Sequence, residues 1–190
     1  RPFLRDDGAV VTVQNGLPES GLAQVFGKDR VYGCTLSWSA EKIAPGVVRV
    51  TSDTGFHLAL GAYGKGDKLD VLAALLSHAG TLTTGNLAEI RFAKLAINAS
   101  FSTLSALSGL TLLQLAKKQK KLVLSHLREV FAVARANGCT GLPQNGHDLF
   151  RVFGGKFAAL LLPVAMKNYA QTRSGMMRDI WAGKRCDVYY

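Results

Sequence analysis

"LAEIRFAKLAINASFSTLSAL", Leu87 to Leu107, is where the chain changes character. Before it, short β-branched runs alternate with tight turns. After it, the apolar spacing is helical. At about 100° per residue, Phe92, Ala93, Leu95, Ala96, Ile97, Ala99, Phe101 and Leu104 cover most of the circumference, so the segment reads as one long buried helix. Its polar residues Lys94, Ser105, Asn98, Arg91 and Ser102 fall within an arc of about 80°. A narrow polar strip on such a helix must face water, another polar element or a ligand. Lys94 and Asn98 are four residues apart and can reach one small molecule. A lysine there can polarise or protonate a carbonyl oxygen. A lysine snorkelling to solvent at the helix edge, with Asn98 capping a nearby loop, accounts for the same pattern.

Working upstream, "AVVTVQ" (Ala9 to Gln14), "RVYGCTLSWS" (Arg30 to Ser39), "GVVRVTS" (Gly46 to Ser52) and "FHLALG" (Phe56 to Gly61) read as strands. A short helix fits between the first two, with Pro18 and Glu19 in its first turn. Asn15-Gly16 directly follows the first run. It is either a hairpin turn or a strand-to-helix loop. In the second case it lies at the carboxyl end of a strand, where open α/β sheets bind ligands. Asn15 would then point into the crevice and Gly16 would let the backbone approach closely. "GAYGKGDK" (Gly61 to Lys68) is glycine-rich but reads as a loop into the helix "DKLDVLAALLSHAG".

Downstream, Thr111 to Asn137 reads as a single helix closed by Gly138. Leu115, Leu122, Val123, His126, Val130 and Val133 form its apolar arc, and the lysines of "KKQKK" (Lys117 to Lys121) lie opposite. "TGLPQNGHD" reads as a loop, and His147 to about Thr172 as a helix kinked at Pro163. Ser174 caps a last helix that carries Asp179, and Asp187 follows near the chain end. The fold class is therefore α/β followed by all-α. An α/β part spans 1–83 and a helical part 84–190, with the switch between Gly80 and Asn86.

The bulk properties narrow the function. With 190 residues, 48% of them apolar, the chain can bury a sizeable core. No apolar run is long enough for a membrane-spanning helix, and "RPFLRDDG" lacks the apolar core of a signal peptide. The first residue is not Met, so a piece of a longer protein is expected. Cys34, Cys139 and Cys186 are far apart and form no C-x-x-C pair, which favours a reducing cytoplasmic compartment. The four histidines are scattered, and no metal site is expected. The net charge of +10 allows an anionic partner. The "KKQKK" face, however, has no interleaved aromatic residues for stacking on nucleic acid and reads as a solvated helix face.

Three stretches in register carry a resemblance: "QNGL", the segment "HAGTLTTGNLAEIRFAKLAINASFSTLSALSGLTLLQL", and "SGMMRDIWAGKRCDVYY". Together they resemble the ketopantoate reductase (2-dehydropantoate 2-reductase) family over essentially the whole chain. The resemblance implies the last part of a Rossmann-type nucleotide-binding domain, followed by a helical domain like that of 6-phosphogluconate dehydrogenase that binds substrate and can form a homodimer. It implies NADPH as cofactor and reduction of the 2-oxo acid ketopantoate to pantoate, in pantothenate biosynthesis. It further implies that Lys94 donates the proton, that Asn15 and Gly16 lie by the nicotinamide, and that Asn98, Ser102 and Ser174 bind substrate. Asp187 takes the place of a catalytic glutamate. Three departures from the family pattern are compatible with a different 2-oxo acid or with weakened activity: Ser102 where the family has asparagine, Gly175 where it has serine, and the shorter Asp187. The family's G-x-G-x-x-G loop does not occur in this sequence, so this chain by itself is expected to bind NADPH poorly.

Overall fold

The computed structural model describes residues 4–38, 40–50 and 55–186. Its first part is a mixed four-stranded sheet in the order β1-β2-β5-β6. Strand β1 (Val10–Thr12) runs into helix α1 (Glu19–Phe26) and returns as β2 (Val31–Leu36), parallel to β1. The hairpin β3 (Ala40–Ala44) and β4 (Val47–Val50) stands apart from this sheet. Strand β5 (His57–Ala62) pairs antiparallel to β2. Helix α2 (Leu69–Leu76) then crosses to β6 (Thr81–Thr84), parallel to β5. On one face, Tyr32, Cys34, Leu58 and Leu60 are buried beneath Leu69, Leu72, Ala73 and Leu76 of α2. "TLTT" was not anticipated as a strand, because its side chains are polar and mostly exposed. Backbone pairing with β5 decides it.

The other face receives the long helix. Gly33 and Gly61 are cross-strand partners in β2 and β5. A Cβ at Gly61 would lie 2.8 Å from Leu87 Cα, and one at Gly33 would lie 2.5 Å from Leu87 Cδ1. Two adjacent glycines therefore make the flat spot on which the start of helix α3 (Leu87–Ile97) rests. Because Leu87 Cα is backbone, Gly61→Ala must push the helix off the sheet. An overpacking cost of about 1–3 kcal/mol is expected, measurable as a lower midpoint in urea denaturation.

The backbone stays helical from Leu87 to Ser108, but it is not one α-helix. Asn98–Ser102 form a π-turn between α3 and α4 (Thr103–Ser108). Gly109, in the left-handed conformation, ends α4. The chain bends by 90° into α5 (Leu112–Lys118), which opens on a capping box between Thr111 and Gln114. The expected single helix over 111–137 is broken at Gln119, and α6 (Lys120–Ala136) starts afresh. That break resets the phase of the apolar arc. Leu122 and Val133 are 44% and 49% exposed, while Leu124, Leu127, Phe131 and Ala134 are buried. Gly138 follows the helix with a positive φ, as expected.

The stretch expected as a loop contains a two-residue hairpin, β7 (Pro143–Gln144) and β8 (His147–Asp148). Asn145 and Gly146 both have positive φ, the geometry Asn-Gly favours in tight hairpins. Beyond it, the expected helix over 147–172 is divided into α7 (Leu149–Phe153), α8 (Ala158–Ala165) and a 3₁₀ turn at Lys167–Tyr169. The interruption lies at Gly154–Phe157, and Pro163 sits inside α8. Helix α9 (Gly175–Trp181) is capped by Ser174, whose hydroxyl accepts from the Met177 N–H. The helices share one core, with Phe92, Ala96, Phe101, Leu115, Leu127, Phe131, Leu142 and Phe153 among its buried members.

Candidate active site

The polar strip of α3 faces the carboxyl ends of β1 and β2. Lys94 is half-buried, and its ammonium donates to the carbonyl oxygen of Leu36, the last residue of β2, at 2.7 Å. Burial pushes the Lys94 pKa below the ordinary lysine value, because leaving water penalises the charged form. One turn on, the Asn98 side-chain amide donates to Asn15 Oδ1 at 3.1 Å. Asn15-Gly16 is the strand-to-helix loop between β1 and α1, not a hairpin. Gly16 has φ 84°. Nothing lies within 4 Å of where its Cβ would be, so the backbone angle, rather than crowding from this chain, is what calls for glycine.

Arg91, on the same strip, is 2% exposed and forms an ion pair with Glu19, which is 3% exposed. Its Nε donates to Glu19 Oε1 at 2.6 Å, its Nη1 to the Gln14 carbonyl at 2.7 Å and its Nη2 to the Thr12 carbonyl at 3.1 Å. On the opposite side, Gln144 of β7 donates to Ser37 Oγ at 2.9 Å, next to the carbonyl that holds Lys94. Glu89, in the first turn of α3, accepts from the Thr140 N–H and hydroxyl and the Gly141 N–H. Burial alone would raise its pKa, but these three bonds outweigh it and hold the carboxyl below its ordinary value.

Ser102 lies four residues beyond Asn98, at the end of the π-turn, and is half-buried. Its carbonyl accepts from the Ser174 hydroxyl at 3.0 Å. Ser174 is buried, and its backbone N–H donates to Ser105 Oγ. The Ser174 hydroxyl thus caps α9 and ties it to the far end of the polar strip. Asp187 lies outside the described residues. Lys94 and the Asn98–Asn15 pair thus lie at the neighbouring carboxyl ends of β2 and β1, and Ser102, one turn further along the helix, is joined to the buried Ser174.

This geometry places an ammonium and two side-chain amides, groups able to hydrogen-bond a small polar molecule, at the carboxyl ends of β1 and β2. The model of "Ketopantoate reductase PanE/ApbA C terminal" matches residues 86–190, more than half of the chain, and that of "Ketopantoate reductase PanE/ApbA" matches residues 1–64. The chain belongs to the ketopantoate reductase family.

Solved structures carry the same fold. The 2-dehydropantoate 2-reductase of Geobacter metallireducens GS-15 is 26% identical, with a TM-score of 0.80, and the match covers 99% of this chain and 60% of that one. A D-mandelate dehydrogenase in ternary complex with NADH and anilino(oxo)acetate is 16% identical, with a TM-score of 0.78 and coverage of 100% and 60%. A dimeric ketopantoate reductase of Staphylococcus aureus is 16% identical, with a TM-score of 0.70 and coverage of 97% and 58%. The last two support the fold alone. The chain spans about three-fifths of the length of these proteins. No curated protein sequence matches it.

Sequence reasoning missed the partners. Arg91 was visible on the polar strip and Glu19 in the first helical turn, but nothing local links residues 72 apart. The Leu36 carbonyl, which receives Lys94, is a backbone atom and carries no sequence signal. Gln144 lies in a hairpin whose Asn145-Gly146 turn was readable but was taken as loop.

Proposed function

We propose that the complete protein is an NADPH-dependent reductase of a 2-oxo acid, and that this chain supplies its proton donor and substrate wall. Ketopantoate, reduced to pantoate in pantothenate biosynthesis, is the first candidate substrate. The observation that carries the reading is the convergence of Lys94, Asn98 and Asn15 at the carboxyl end of β1 and β2 in a chain of this family. The Asn15-Gly16 loop suits a nicotinamide cofactor, since it lies exposed at the end of a parallel strand. Asn15 and Gly16 would hold the nicotinamide end. When bound, the cofactor supplies the hydride that adds to the ketone carbon.

The residues of this chain do the rest. Lys94 donates a hydrogen bond to the ketone oxygen. As the carbon gains its fourth bond, negative charge grows on that oxygen, and the ammonium stabilises it more than it stabilises the ground state. The proton passes from Nζ to the oxygen, giving the 2-hydroxy acid, and Nζ regains a proton from solvent. Asn98 and Asn15 orient the substrate, and Ser102, braced from behind by Ser174, closes the wall. Asp187 is assigned to the reacting end as well, from the family pattern. A homodimer in a reducing cytoplasmic compartment is the expected state of the complete protein.

The test is NADPH oxidation by the complete protein with ketopantoate and a panel of other 2-oxo acids. Consumption with none of them rejects the reading. Ser102 favours a second substrate of the same class, since a hydroxyl there reaches less far than an amide. Ser102→Asn is expected to raise kcat/KM for ketopantoate relative to the other acids by roughly 10-fold, the scale of one good hydrogen bond.

The depressed Lys94 pKa fixes the sign of the pH dependence. The donor must be protonated, so kcat/KM is lost as pH rises through the lowered folded-state value. This alkaline limb lies at lower pH than an exposed lysine would place it. In Lys94→Arg the guanidinium stays charged. The residual activity of that variant should lack the limb, and a limb left in place would assign it to another group.

A further inference from the structure

We infer that Arg91 and Glu19 are positioning residues, a buried clamp that sets the Asn15 loop against α3 and so aims Asn15 at the reacting centre. This deepens the reductase reading and rests on it. The clamp grips both stems of the loop. Arg91 Nη2 and Nη1 hold the carbonyls of Thr12 and Gln14 at the end of β1, and Nε holds Glu19, the first residue of α1. Between these stems lie only residues 15 to 18, so fixing both ends fixes Asn15. Arg91 and Asn98 lie seven residues apart on one face of the continuous helical stretch, Arg91 in α3 and Asn98 at the start of the π-turn. The helix that holds the stems therefore also carries the partner of the Asn15 side chain.

The chemistry of the pair fits this role better than simple stability. A planar guanidinium can donate in several fixed directions at once, and three acceptors on two elements use them here. The site has been cleared for it, since the Cβ missing at Gly33 would lie 3.0 Å from Arg91 Nη2. An apolar pair could fill the same space but could not take up the two carbonyls. Small errors in the placement of a substrate-facing group are costly. A displacement of about 1 Å can lower turnover by about a hundredfold.

The experiment uses the complete protein. Arg91→Lys keeps the charge beside Glu19 but has one nitrogen for three acceptors. Glu19→Gln keeps an acceptor but removes the charge, and it serves as the second variant if the first folds poorly. Each is combined with Asn15→Ala in a double-mutant cycle on kcat/KM. Arg91→Lys is expected to lower kcat/KM about 10- to 100-fold. That loss should shrink to about twofold or less in the Asn15→Ala background, because the clamp acts through Asn15. Hydrogen exchange of residues 13–18 should quicken, while that of β2 stays unchanged.

An undiminished loss in the Asn15→Ala background would mean the pair acts as general structure, and it overturns the proposal. So does unchanged exchange in the loop. If Asn15→Ala alone leaves kcat/KM intact, Asn15 is not part of the site and the positioning role falls with it. If the complete protein reduces no 2-oxo acid, the reductase reading fails, and the exchange comparison decides the clamp by itself.

Discussion

Replacing Lys94 with alanine in the complete protein lowers kcat by about 10²- to 10⁴-fold, the usual contribution of a positioned general acid, while leaving the fold intact. The structural cost is small because, among the described residues, the side chain makes one hydrogen bond, to the Leu36 carbonyl. Loss of one such bond is worth about 1 kcal/mol. Working against that loss, the variant no longer buries an ammonium. The folded-state pKa of Lys94 lies below its unfolded value, so the unfolded chain binds more protons between the two values. Stability therefore rises with pH across that window, and below it the native state carries the full penalty of the buried charge. Lys94→Met, which keeps the stem and drops the charge, should match or exceed the parent in thermal stability at neutral pH. The expected signature is a variant as stable as the parent and nearly inactive. Steady-state kinetics at saturating NADPH and a melting curve give both readings, and an unchanged kcat removes Lys94 from the mechanism.

The contrast between two Asn-Gly pairs explains why some of this site was legible and some was not. Asn145-Gly146 has positive φ at both residues and closes a hairpin. Asn15-Gly16 has positive φ only at the glycine and leads from β1 into α1. The dipeptide is the same. What differs is the next element, and Pro18 with Glu19 signalled a helix there. The strip on α3 was readable because 3.6-residue periodicity places Arg91, Lys94 and Asn98 on one face whatever lies opposite. The π-turn at Asn98–Ser102 was not, since apolar and small residues continue evenly through it. Nor was the break at Gln119, because lysine and glutamine are good helix formers and the bend depends on how α5 and α6 pack. The glycines of β2 and β5 read as weak spots within strands. Only their pairing, Gly33 opposite Gly61, reveals the landing place for α3 and hence how the helix comes to face the Asn15 loop.

The second large effect concerns that landing place. Arg91→Met leaves the Glu19 carboxylate buried without its cation and takes the guanidinium donors from the Thr12 and Gln14 carbonyls. Removing one partner of a buried ion pair costs about 3–5 kcal/mol. For a protein whose total stability is about 5–15 kcal/mol, that is enough to shift the urea midpoint far below the parent's. Glu19→Met strands the guanidinium instead. It keeps two carbonyl acceptors, so the smaller part of that range is expected. The double variant Arg91→Met/Glu19→Met buries no charge, and the pair's desolvation penalty disappears with it. Its stability should recover most of the loss and lie above either single variant. Urea denaturation of all four proteins at one pH supplies the cycle. A double variant as unstable as the sum of the singles would show that the two side chains do not act as a pair. Recovered stability without recovered kcat/KM would separate the two roles of this contact. That outcome would mean that the fold tolerates an apolar plug between α3 and β1, whereas the Asn15 loop needs the directed donors of the guanidinium.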